Sequence, residues 1–120
     1  MREIRVYYNS ACPVCNAGIT HQRRRMAGCA VQWRDVHRDL AARREIPAEL
    51  EYVRERLHVV DEAGRIRSGV DAFEIIWRHS PHEHWKARLI ALPLVRPLVT
   101  VLYNAFARGL YKWNRWMRHW

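Results

Sequence analysis

The stretch "VYYNSACPVCNAGI", residues 6–19, places two cysteines directly behind an apolar and aromatic run. Residues 4–8 are rich in β-branched and aromatic side chains, which predicts a strand. Residues 9–11 suit a short turn. Pro13 then suits the first turn of a helix, where its fixed φ helps and its missing N–H costs nothing. The stretch therefore predicts a strand, a turn and a helix that begins at Pro13 and ends at about residue 26, before Gly28.

The CPVC motif at residues 12–15 carries the chemistry. The thiolate is the reactive form of cysteine, whereas an unperturbed thiol has a pKa of ~8.5. A helix N-terminus lowers that pKa because its N–H groups and its dipole favour negative charge. Cys12 precedes the predicted helix and Cys15 lies in its first turn. We therefore expect Cys12 to attack, Cys15 to resolve the resulting mixed disulfide, and Pro13 to stiffen the loop between them.

The remaining pattern predicts a small α/β (α+β) domain. A second strand is expected at residues 31–36, followed by helical stretches at 37–44 and 47–54. A hairpin is expected with strands at 57–60 and 65–69, then a helix at 71–79, then helices from residue 83 that are interrupted at Pro93 and Pro97. The order β-α-β, hairpin, α is that of a thioredoxin-like core with a C-terminal helical extension. A fold limits function without fixing it.

Basic residues and tryptophans are concentrated in the last third of the chain. Its 120 residues predict a single thioredoxin-like domain, 1–120, of which 82–120 form a basic, Trp-rich helical extension. From residue 78 onward there are 8 Lys and Arg against 1 acidic residue, with four of the six tryptophans. The N-terminus lacks the apolar core of a signal peptide, which favours the cytoplasm, where thiols are reduced. Three cysteines are also an odd number for a disulfide scaffold.

The extension has two interpretations besides packing with solvated arginines. Residues 89–107 are the most apolar, but Arg96 and two prolines argue against a membrane span. Residues 111–120, "YKWNRWMRHW", alternate Trp and basic residues at helical spacing, as a peripheral helix at the inner membrane surface would. No recognisable nucleic-acid module is present, so we do not expect nucleic-acid binding.

Two other interpretations of the cysteines stay open. Cys12, Cys15 and Cys29 with His21 or His37 could make a zinc site, although Cys29 lacks a paired CxxC. The cysteines could also be inert, buried residues in a non-enzymatic binding module of the same fold, which would contact a membrane or a protein partner through its basic, aromatic C-terminus. We expect no cofactor and no metal, and we expect Cys29 to be packed without a role.

The sequence resembles the DCC family of thiol-disulfide oxidoreductases, which have a thioredoxin-like fold. The resemblance rests on "VYYNSACPVC", on "LHVVDEAGRIRSGVDAFEII" and on "LPLVRPLVTVLYNAFARGLY", which together cover nearly the whole chain. It implies a redox-active CxxC and a thiol or disulfide partner, either a substrate protein or glutathione. The segment at residues 69–72, which contains Gly69 and Asp71, also resembles the glutaredoxin element that binds a glutathione carboxylate. Asp71 more simply caps or begins a helix.

The sequence departs from that pattern at two places. The family carries an Asp three residues before the first Cys, often followed by Gly, where this chain has Asn9 and Ser10. We expect these two residues to shape the turn, since Asn9 cannot accept a proton as a general base would. Removing a nearby carboxylate should favour the Cys12 thiolate. Residues 54–56 also lack the cis-proline that active thioredoxin-like proteins place before their third strand.

Overall fold

The computed structural model describes residues 3–46 and 49–119. Within these ranges lie four strands and six helices, which in chain order are β1 Ile4–Tyr8, α1 Pro13–Arg25, β2 Val31–Asp35, α2 Leu40–Glu45, α3 Leu50–Glu55, β3 His58–Val60, β4 Ile66–Ser68, α4 Val70–His79, α5 His84–Ile90 and α6 Val95–Trp116. The strands form one sheet in the order β2-β1-β3-β4. β1 and β2 are parallel, whereas β3 pairs antiparallel with both β1 and β4. The predicted thioredoxin-like α/β fold is confirmed.

The sheet has a buried core on each face because side chains alternate along β1. Ile4, Val6 and Tyr8 pack on one side with α1 and α4. Tyr7 points to the other side, where it packs with residues of α2 and α3 such as Ala42. The CPVC motif follows β1 directly. It therefore lies at the edge of the sheet where β1 and its parallel neighbour β2 both end.

Several predicted boundaries shift by a few residues, and one prediction is wrong. The second polar helix begins at Leu50, and Pro47, expected to open it, lies outside the described residues. The chain does break between α5 and α6, as expected around Pro93. Pro97, however, lies inside the first turn of α6 and does not interrupt it. The first N–H groups of a helix have no partner within it, so proline costs little there.

The extension packs against the core and is held by buried polar contacts. The Glu83 carboxylate is 1% exposed and accepts from Gln22 of α1 at 2.8 Å and from Lys86 of α5 at 2.9 Å. Burial alone would raise its pKa, but the hydrogen bonds from Ser80, Lys86 and Gln22 outweigh burial and hold it at about 2. This ionised group joins the extension to α1, the helix that carries the cysteines.

No single helix within the described ranges is long and apolar enough to cross a membrane. The pair α5 and α6, bent by 97° at the break between them, meets the length and composition criteria together.

Candidate active site

Cys12 caps the N-terminus of α1. Its Sγ accepts a hydrogen bond from the backbone N–H of Cys15 at 3.3 Å, and Pro13 is the first residue of the helix. The cap holds the sulfur where the unpaired N–H groups of the first turn concentrate positive potential. The structure places Cys12, Pro13 and Cys15 at the start of the helix, where the sequence predicted them. Cys12 is fully buried, whereas Cys15 is partly exposed.

The side chains of Cys12 and Cys15 are hydrogen-bonded to each other, which lowers the pKa of Cys12 and raises the pKa of Cys15. The pKa of Cys12 is lowered to about 6, first by the hydrogen bond from the Cys15 side chain and, against the cost of burial, by the backbone N–H of Cys15 and the side chain of Asn114. The pKa of Cys15 is raised by its hydrogen bond to Cys12, by burial and by the Cys12 charge. Both shifts favour the same state, in which a Cys12 thiolate accepts a hydrogen bond from a Cys15 thiol.

Asn114 is a site residue that no sequence pattern indicated. It lies near the end of α6, is 1% exposed, and its side chain hydrogen-bonds Cys12. Its Oδ1 is 2.6 Å from Nδ1 of His119, and its backbone oxygen accepts the His119 N–H at 3.1 Å. An amide oxygen only accepts, so Nδ1 of His119 is the donor and the Asn114 NH₂ group is left for the Cys12 sulfur.

The chain reverses direction to place His119 there. Arg118 adopts a φ of 58°, a left-handed conformation that is rare for a residue other than glycine. The His119 ring then packs edge-on against Trp113, with ring centroids 5.0 Å apart. The C-terminal turn is thus fastened over Asn114, and Asn114 lies over Cys12. No spacing in the sequence indicates this contact, because Cys12 and Asn114 are about a hundred residues apart.

Asn9 and Ser10 lie in the turn before the cap, as expected. Oδ1 of Asn9 accepts the N–H of Ala11 at 3.1 Å, and its backbone oxygen accepts the N–H of Cys12 at 3.3 Å. The N–H of Ser10 donates to Asp35 at the end of β2, at 3.3 Å. The Asn9 side chain is buried, and its Nδ2 has no hydrogen-bond partner among the described residues.

Gly69 and Asp71, suggested as an anion site, are both engaged by the protein. The N–H of Gly69 donates to the oxygen of Leu57 at 3.0 Å, and Asp71 forms an ion pair with Arg96 of α6. Gly69 has a φ of 63°, and Tyr103 lies against its Cα. The two residues therefore fasten α4 to α6, and an anion would have to displace these partners.

An apolar cavity of about 210 Å³ reaches the cysteine pair from the side of Cys15. Its wall is formed by α1, by the chain from α3 to β3, by α4 and by α6. Residues of α6 that line it include Tyr103, Phe106 and Leu110. The predicted extension is thus part of the site, since it closes the cavity and contacts Cys12.

The suggested zinc ligands are not assembled. Across residues 3–46 and 49–119, no group of three or more His, Cys, Asp and Glu side chains could hold a metal ion. Cys29 is partly buried and packs against the core around Ile4 and Met26. Residues 54–56, where the sequence lacks the cis-proline of active thioredoxin-like proteins, contain no cis peptide bond.

The comparisons with known proteins agree with this geometry. The chain matches the family described as DCC1-like thiol-disulfide oxidoreductase over residues 6–116, which is nearly its whole length. The chain belongs to this family. No curated protein and no solved structure matches it. Membership supports a redox role with a thiol or disulfide as substrate, and the fold agrees with that expectation.

Proposed function

We propose that the protein is a thiol-disulfide oxidoreductase in which Cys12 attacks and Cys15 resolves. The observation that carries this proposal is the Cys12 sulfur at the helix cap, where it accepts the Cys15 N–H and has a pKa of about 6. At pH 7 most of the reduced protein then holds a thiolate there. The thiolate attacks a substrate disulfide, forms a mixed disulfide with one substrate sulfur, and expels the other as a thiolate that takes up a proton.

The second step follows from the loss of the Cys12 charge. In the mixed disulfide, Cys12 is neither a thiolate nor a strong acceptor, so the hydrogen bond and the charge that raise the Cys15 pKa disappear and only the effect of burial remains. Cys15 can then release its proton to solvent and attack the Cys12 sulfur. The products are a Cys12–Cys15 disulfide and the second substrate thiol. The substrate, a protein or glutathione, is reduced by two electrons and the cysteine pair is oxidised; the reverse sequence oxidises a dithiol.

Cysteine variants test both roles, and Cys29 offers a matched control. Incubated with a disulfide substrate, Cys15→Ser should accumulate the mixed disulfide at Cys12, because the resolving thiol is absent. Cys12→Ser should form none, and Cys29→Ser should behave as wild type. Intact mass and peptide mapping measure the adducts. If Cys12→Ser and Cys15→Ser both exchange as fast as wild type, the mechanism is wrong.

A second role, peripheral contact with an anionic membrane on the cytoplasmic side, is supported by the outer face of α6. This face consists of apolar residues that share one side of the helix and are exposed, namely Leu94, Leu98, Val101, Leu102, Trp113 and Trp116. Arg108, Lys112 and Arg115 lie on the same helix and would meet anionic headgroups. Apolar area together with positive charge is the composition of an interfacial helix.

Vesicle binding tests this second role. Wild type should co-sediment with vesicles that contain anionic lipid and much less with neutral ones, with a blue shift in tryptophan fluorescence. Leu98→Glu should weaken binding, whereas Leu40→Glu on α2 is the control, since Leu40 and Leu98 are both 61% exposed. Equal binding by the two variants, or no binding of wild type at physiological salt, excludes the membrane role.

A further inference from the structure

The cavity beside Cys15 is almost wholly apolar, although the chemistry next to it is polar. Its wall includes Val14, Ile19, Phe73 and Phe106 together with Cys15. Arg56, which also lines it, is paired with Glu55 at 3.2 Å, so its guanidinium already has a carboxylate partner. A charged ligand group would gain no free countercharge from that arginine and would lose its hydration.

The volume of the cavity limits the size of its occupant. Drug-sized ligands occupy pockets of roughly 300–1,000 Å³, whereas an engineered apolar cavity of about 150 Å³ binds benzene. At about 210 Å³, this cavity fits one aromatic ring or one branched aliphatic group. It is the size of a single side chain.

Asn9 adds a polar feature that indicates a polypeptide. Asn9 also lines the cavity, is 3% exposed, and its Nδ2 lacks a hydrogen-bond partner among the described residues. A buried donor left without a partner destabilises the free protein, because its hydrogen bond to water is lost and not replaced. A backbone carbonyl oxygen of a bound peptide would satisfy it, whereas a purely apolar molecule would not.

We infer that the cavity is a substrate subsite for an aromatic or branched aliphatic side chain next to the reacting cysteine of a peptide or protein substrate. The side chain fills the cavity, and Asn9 Nδ2 donates to a backbone carbonyl of the substrate. Cys15 lines the cavity and its N–H donates to the Cys12 sulfur at 3.3 Å, so a substrate held there presents its disulfide to the cysteine pair. Glutathione has no apolar side chain beside its cysteine and is a poor match. This inference rests on the proposed thiol-disulfide exchange and names its substrate class.

Two glycines provide a matched test. Gly18 of α1 lines the cavity, and a Cβ added there meets no atom within 4 Å, so leucine is accommodated at the cavity wall without a clash. Gly109 of α6 is also helical with nothing within 4 Å, but it does not line the cavity. Gly18→Leu and Gly109→Leu therefore change helix propensity alike, and only the first blocks the subsite.

The measurement compares two disulfide-linked peptides that differ only in the residue before cysteine, Phe in one and Ser in the other. Burying a phenyl side chain is worth about 1.5–3 kcal/mol, which corresponds to roughly a tenfold or greater preference for the Phe peptide. Wild type and Gly109→Leu should show this preference in the rate constant for mixed-disulfide formation. Gly18→Leu should lose it, so that its rate constants for the Phe and Ser peptides become equal.

The alternative results are distinguishable. Equal rates for the two peptides in wild type, or a preference retained by Gly18→Leu, overturn the subsite and leave the exchange mechanism intact. A benzyl disulfide that reacts as fast as the Phe peptide overturns the role of Asn9 and the substrate backbone. No mixed disulfide with any of these disulfides overturns the proposed function itself.

Discussion

The two sides of α6 differ in what they contact. One side, the inner face, carries residues that line the cavity or cover Cys12, namely Tyr103, Ala107, Leu110 and Asn114. The outer face points away from the core and is apolar but bare. The amphipathic pattern of α6 thus lines the cavity and covers Cys12 on one side, and leaves apolar side chains exposed on the other. Substitutions on the inner face should alter the redox site, and substitutions on the outer face should not.

Gly69→Ala should have the largest effect on stability. The φ of 63° is unfavourable for alanine, and the added Cβ would lie 3.2 Å from Cε1 of Tyr103 on the inner face. We expect a loss of about 3 kcal/mol in the free energy of unfolding by denaturant titration. Gly64→Ala is the control, because its φ is 82° but nothing lies within 4 Å. Equal losses in the two variants would mean that the contact with Tyr103 is unimportant.

The stability of the reduced protein should rise by about 2 kcal/mol between pH 6 and pH 8. Because the Cys12 pKa is lower in the folded protein than in the unfolded chain, unfolding takes up a proton in this range. The contribution is complete above the unfolded pKa of ~8.5 and is lost as the pH falls through about 6. The raised pKa of Cys15 acts with the opposite sign, but only above ~8.5.

The control for this pH dependence is Cys12→Ser, which keeps every histidine and lacks the thiolate. The difference in the free energy of unfolding between wild type and this variant should grow as the pH rises from 6 to 8. A constant difference would show that Cys12 does not titrate near pH 6.

Asn114→Asp should slow alkylation of Cys12 at pH 7 at least about twofold and move the midpoint of its pH dependence up from about 6. The substitution removes a donor to the thiolate and adds a like charge beside it, which raises the Cys12 pKa by about one unit or more. Asn104→Asp on the same helix is the control, since Asn104 hydrogen-bonds Arg56. The alkylation rate as a function of pH is the readout. If Asn114→Asp leaves the midpoint of Cys12 alkylation unchanged, Asn114 on the inner face does not affect the Cys12 pKa.

Leu98→Ser should have the smallest effect. Leu98 is 61% exposed on the outer face, so the change in unfolding free energy should stay within about 0.5 kcal/mol and the Cys12 midpoint should not move. Thermal unfolding of the monomer at low concentration measures the first quantity. A loss above ~1 kcal/mol would mean that the outer face is packed in solution, contrary to its exposure in the structure.

The sequence predicted the features that depend on neighbouring residues. The alternation in β1, Pro13 and the CPVC spacing specify a strand, a turn and a capped helix within a few residues, and the structure contains them. The error at Pro97 has a local cause, because proline ends a helix only in the interior and α6 begins just before it. The chain changes direction between α5 and α6, in the segment that contains Pro93.

The contacts of Asn114 and His119 could not be predicted in the same way. They depend on how α6 packs across α3 and α4, and no local pattern encodes that packing. An Asn among tryptophans and basic residues has the composition of a surface helix, which is what residues 111–120 predict on their own. The burial of Asn114 against Cys12 becomes visible only once the helix is placed. The same packing makes the predicted accessory extension a wall of the site.

The pH dependence of Cys12 alkylation on the reduced protein tests the central claim most directly. Iodoacetamide is applied across pH 4–10, and peptide mass spectrometry reports the rate at Cys12, Cys15 and Cys29 separately. Steric shielding of the buried sulfur slows the reaction at every pH by the same factor, so the midpoint still reports the Cys12 pKa in the folded protein. We expect a midpoint of about 6 for Cys12 and a far higher one for Cys15. A Cys12 midpoint at or above the ordinary thiol value of ~8.5 would contradict it.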